Sequence, residues 1–76
     1  MYMPLSMLSE GESGIVVDIE GGRGLIRRLL ELGFTPGTRV KVLKVSPPGP
    51  LLVEVRESRI ALGRGVAMKV LVEVIR

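Results

Sequence analysis

Residues 23–37 read Arg-Gly-Leu-Ile-Arg-Arg-Leu-Leu-Glu-Leu-Gly-Phe-Thr-Pro-Gly. The first ten carry a helical period. Leu25, Ile26, Leu29, Leu30 and Leu32 form a wide apolar stripe, and Arg27, Arg28 and Glu31 face water. Gly33 stands where a helix exit calls for a left-handed residue, and Pro36 prevents the helix from resuming. The spacing predicts one short amphipathic helix over Arg23–Leu32.

On both sides of this stretch the period changes from 3.6 to 2. Ser13–Ile19 reads as a strand with Ile15, Val17 and Ile19 on one face. Residues 38–45 read as a second strand whose alternation slips. Val40 and Val42 share one face while Leu43 and Val45 share the other, so either a bulge shifts the register or both faces are covered there. Residues 51–56, 59–62 and 69–75 complete the set, with a hairpin around Glu57-Ser58 and a single helical turn near 66–68. Gly and Pro punctuate the intervals at Glu10-Gly11, Gly21-Gly22-Arg23-Gly24, Pro47-Pro48-Gly49-Pro50 and Gly63-Arg64-Gly65. The expected fold is mainly β. Five short strands, with the helix inserted after the first, close into a small barrel that leaves no exposed edges.

The chain of 76 residues is expected to be one domain spanning 1–76. It is 46% hydrophobic and 25% charged, with a mean hydropathy of +0.40, which supplies a dense core and argues against disorder. Cys and His are absent, which removes disulfides, thiolate metal sites and the commonest nucleophile and general base. An enzyme is therefore the weakest functional class. Asn and Gln are also absent, and with the Val, Ile and Arg content this suggests a thermophilic source. A melting midpoint near about 50 °C would count against that. No apolar run approaches the ~20 residues of a membrane span, and residues 1–10 do not read as a signal peptide, so the expected location is the cytoplasm without membrane insertion.

The net charge of +3 comes from eleven basic and eight acidic residues without any block of one sign. Arg23, Arg27 and Arg28 are the densest basic cluster. Only Tyr2 and Phe34 are aromatic, so stacking platforms for single strands are missing and nucleic acid is disfavoured as a partner. Gly21-Gly22-Arg23-Gly24 precedes the helix but fits neither a P-loop nor a dinucleotide fingerprint, and reads as a turn. Asp18 and Glu20 share a strand face. Oxygen ligands alone would hold a divalent ion weakly, and these carboxylates, like Glu10, Glu12, Glu31, Glu54, Glu57 and Glu73, read as solvated charge, so no resident cofactor is expected. With the inward positions filled, Leu43, Val45, Leu52, Leu71 and Ile75 fall on outer faces. Of these, Leu43, Leu52, Leu71 and Ile75 are the candidate patch for a partner or a second copy of the chain, unless the helix and Met3, Leu5, Met7 and Leu8 cover it.

Beyond these physical signals the sequence resembles a known family. The carriers are the run from Leu5 to Ile15, then Arg28-Leu29-Leu30-Glu31-Leu32-Gly33-Phe34-Thr35-Pro36-Gly37-Thr38-Arg39-Val40, Gly49-Pro50-Leu51 and Ile60-Ala61-Leu62, with Ala67 before the last strand. Together they are similar to FeoA, the small cytoplasmic component of ferrous iron uptake. The most specific part comprises Leu29, Leu32, Gly33, Pro36 and Gly37, which also read as fold-determining. The resemblance implies an SH3-like barrel and a non-enzymatic accessory role beside a large ferrous iron permease, contacted through the permease's cytoplasmic part. A related domain occurs at the C-terminus of iron- or manganese-dependent repressors. The alternatives are accordingly a metal-responsive regulatory domain and a nucleic-acid-binding small barrel. Two positions depart from the family pattern: Gly63 where a basic residue often follows Ile-Ala-Leu, and Val66 where an acid commonly precedes the alanine.

Overall fold

The computed structural model describes residues 1–75. Six antiparallel strands form one sheet: β1 (Tyr2–Pro4), β2 (Ser13–Ile19), β3 (Arg39–Val45), β4 (Leu51–Val55), β5 (Ser58–Leu62) and β6 (Val70–Ile75). Their spatial order is β1-β6-β2-β3-β4-β5. Helix α1 (Arg23–Leu32) follows β2, a 3-10 turn (Leu5–Met7) follows β1, and the short helix α2 (Arg64–Ala67) links β5 to β6.

The expected five strands are thus six, and the expected ring without exposed edges is not closed by hydrogen bonds, because β1 and β5 end the sheet unpaired with each other. The missing one is β1, three residues paired with Glu73, Val72 and Leu71 of β6. It is too short to show alternation, and it ends on Pro4, which is tolerated because an end strand does not need every N–H. The N-terminal segment does cover the core. Leu5 is fully buried and Leu8 nearly so, whereas Met7 points outward.

Two bulges decide which side chains enter the core. In β2, Val16 pairs with Val72 and Asp18 with Leu71, leaving Val17 as the extra residue. The inward residues are therefore Val16 and Ile19. Val17 is exposed and Ile15 half-buried, which corrects the expected Ile15–Val17–Ile19 face. Gly14 also lies inward, where a Cβ would come within 2.9 Å of Val72 Cγ2. In β3 the bulge falls at Leu43, between the Val42–Val53 and Lys44–Leu52 pairs, so the first of the two expected readings holds. Val40, Val42, Leu51, Val53, Val55, Val70 and Val72 fill the barrel with Phe34 and Leu29.

The chain leaves α1 through a Schellman motif. Gly33 takes φ +109°, its N–H donates to the Leu30 carbonyl (3.0 Å), and the Phe34 N–H donates to the Leu29 carbonyl (3.0 Å). Phe34 then drops into the core with no exposed surface. Thr35-Pro36-Gly37-Thr38 forms a tight turn, closed by the Thr38 N–H on the Thr35 carbonyl (3.0 Å), with Gly37 at φ +93°. The Gly37 N–H donates to the Val16 carbonyl (2.7 Å), which aims β3 along β2.

Candidate interaction surface

The motif around the helix exit is clasped from a distant strand pair. The β4–β5 turn is Arg56-Glu57, one residue earlier than expected, with φ of 49° and 67° at the two positions. Two positive φ values give the turn whose twist suits a hairpin, usually made with Asn and Gly. The Arg56 guanidinium donates from Nη2 to Oγ1 of Thr35 (3.0 Å) and of Thr38 (3.1 Å), which themselves lie 2.7 Å apart. Its stem covers Gly33, where a Cβ would sit 3.1 Å from Arg56 Cδ. Leu29, Gly33, Pro36 and Gly37 therefore act on the path of the chain, while Leu32 stays 38% exposed and available for contact.

Carboxylates read as solvated charge hold backbone in place. Glu10 Oε2 accepts the Val45 N–H (2.8 Å) just beyond the β3 bulge, while the Gly11 N–H donates to Val42 and the Val42 N–H to Glu12. Glu12 Oε1 accepts the Ser9 N–H (2.7 Å). The Ser-x-x-Glu spacing of Ser9 and Glu12, a capping-box pattern, was the available signal, although no helix follows it here. Asp18 Oδ1 accepts the Ile19 N–H (2.8 Å), and Glu20 lies exposed just past β2. Among the described residues no group of three or more His, Cys, Asp or Glu side chains is placed to hold a metal ion. Gly21 and Gly22 make the turn into α1, and the Arg23 and Arg27 side chains above it are exposed.

The four outer apolar candidates divide into two pairs. Leu71 and Ile75 lie on one face of β6, half-buried and 38% exposed respectively. Leu43 is the β3 bulge residue, and Leu52 on β4 faces Lys44; both are half-buried. β6 and β4 are three strand spacings apart in the sheet, about 14 Å along it. Charged Lys41 and Glu54 occupy the outer row that starts at Ile75. The structure thus brings together Leu71 with Ile75, but not the set of four.

The concave apolar surface lies at α1, where the sequence reading placed no site. On one flank Ile26 and Leu30 border a hollow of about 220 Å³ with Asp18, Ile19 and Pro36. On the other, Leu25, Leu29 and Leu32 face β5 and α2 across a groove of about 400 Å³. Helical spacing predicted the stripe, but only the fold shows that it is wider than the core it covers. No helix among the described residues is long and apolar enough to cross a membrane.

Comparison with known proteins agrees with this architecture. The FeoA domain family model matches residues 3–74. A candidate Fe(2+) transport protein A of Methanocaldococcus jannaschii is 42% identical over 73 residues, covering 96% of this chain and 87% of that protein. A fusion of Fe(2+) transport protein A with the Fe(2+) transporter FeoB in Porphyromonas gingivalis is 36% identical over 75 residues, covering 96% of this chain and 9% of the fusion. Among solved structures, the zinc-complexed FeoA of Stenotrophomonas maltophilia, described as an SH3 domain protein, superposes with a TM-score of 0.83 at 36% identity, covering 93% of this chain and 89% of that one.

Proposed function

Because this chain belongs to the FeoA domain family, we propose that it is a non-enzymatic accessory module of ferrous iron uptake that binds the cytoplasmic part of a ferrous iron permease. The P. gingivalis relative carries this reading, since there a domain 36% identical to this chain shares one polypeptide with the transporter. A tether of that kind holds two modules at millimolar effective concentration. Docking on such a partner needs a surface, and this chain has exposed apolar side chains on α1 and β6 to offer. The sequence, with neither His nor Cys, suits docking better than catalysis, and the role needs no resident cofactor. Such a role would be carried out on the cytoplasmic side of the membrane.

Co-purification with the ferrous permease of the same cell tests the reading, with Leu71→Glu and Ile75→Glu beside the wild type. Retention of the wild type and loss of tenfold or more by a variant that keeps its circular dichroism is the expected outcome. Equal retention of both variants removes the β6 patch from the interface. A wild type that is not retained overturns the permease reading. Sedimentation at high concentration separates the rival use of that patch, pairing between copies of the chain.

A further inference from the structure

Ile60, Ala61, Leu62 and Gly63 line the groove beside α1 in unbroken succession. A strand face cannot do this, because only every second residue points to one side. The groove therefore runs along an edge of β5, and β5 is an end strand of the sheet. The opposite wall consists of Leu25, Arg28, Leu29 and Leu32, spaced i, i+3, i+4 and i+7, which is one face of α1.

The ladder shows which backbone groups this edge presents. Arg56-Glu57 is a two-residue turn, so Val55 and Ser58 close it as a hydrogen-bonded pair. Alternation then directs the N–H and C=O of Ser58, Ile60 and Leu62 toward β4, and those of Arg59 and Ala61 away from it, into the groove. At the groove's end Gly63 adds open space, since a Cβ there would meet nothing within 4 Å.

From this geometry we infer that the groove between α1 and β5 receives an extended segment of the partner as an added antiparallel strand, with alternate apolar side chains against α1 and a carboxylate on Arg28. This deepens the reading above and rests on it for the partner, a cytoplasmic segment of the ferrous permease. Charge selects an acidic segment over a second copy of this chain. Among the described residues, Arg28 is the only charged one lining the groove. Arg59 lies on the bordering strand, and Arg64 opens α2 with Nε and Nη2 buried and lacking a hydrogen-bond partner. Two copies joined through β5 would set these arginines against each other.

The test measures binding of the full chain to the purified cytoplasmic domain of the ferrous permease, together with amide hydrogen exchange. Ala61→Pro deletes an N–H that plays no part in the β4 ladder, and Arg28→Glu reverses the charge. Each is expected to weaken binding tenfold or more, while Arg23→Glu, outside the groove, binds as the wild type. The Arg59, Ala61 and Gly63 amides should exchange at least tenfold more slowly in the complex. Tight binding of the permease domain by both groove variants, with those amides unprotected, overturns the groove and leaves the permease reading intact. Protection of the same amides in the concentrated chain alone overturns the proposal in favour of a second copy. A wild type that does not bind the permease domain overturns both.

Discussion

At its C-terminal end α1 is held by a backbone motif, a fully buried ring and a guanidinium from another strand pair. Its N-terminal end begins at Gly22, with no side-chain cap and no acidic residue in the first turn. The difference teaches where the fold keeps its information. The exit fixes the direction of β3, through Phe34 in the core and through Gly37 on Val16. The start only reverses the chain after β2; its one backbone constraint is Gly21 at φ +136°, and at Gly22 any residue compatible with φ −75° and ψ 169° could serve. The specific family motif falls on the exit for that reason.

Phe34→Ala should break the contrast most severely. Emptying a fully buried aromatic site costs about 3–5 kcal/mol, which approaches the whole stability of a small domain. Chemical denaturation checks this, and a loss below about 1 kcal/mol would mean that the exit does not anchor the core. Gly33→Ala comes next, at about 1–2 kcal/mol for an L-residue held at φ +109°. Repeating it in an Arg56→Ala background sharpens the point. If crowding by Arg56 Cδ adds to the cost, the two changes together should cost less than their sum. The smallest effect is a gain. Gly22→Asp has open space for its side chain and would cap the first N–H groups beside Arg23, raising stability by a few tenths of a kcal/mol, about 1 at most. A loss on thermal melting would show that the start of α1 is as constrained as its end.

The same contrast explains what could be read from sequence. The limits of α1 were legible because a 3.6 period met Gly33 and Pro36, two residues with single backbone meanings. β6 was legible because Val70, Val72 and Val74 alternate cleanly. β2 was misread because Ile15, Val16 and Val17 are all β-branched, so either parity looks like a core face, and a bulge leaves no mark in such a run. The β4–β5 turn was misplaced by one residue because Arg56 and Glu57 adopt positive φ without the Gly or Asn that would announce it. Of the candidate surface, Leu71 and Ile75 were legible as an outward pair. The α1–β5 groove was not, because it depends on which strand ends the sheet, and sheet order is not written in local periodicity.

β1 joins the sheet beside β6, and the Val74 N–H donates to the Met1 carbonyl (2.9 Å). Within this domain the first strand to be synthesised thus finds its hydrogen-bonding partner in the last. Until β6 emerges, β2 lacks a neighbour on one side and Tyr2–Pro4 lacks any, so the nascent domain holds bare strand edges until its last strand is made. The domain's closing step is the meeting of its first strand with its last.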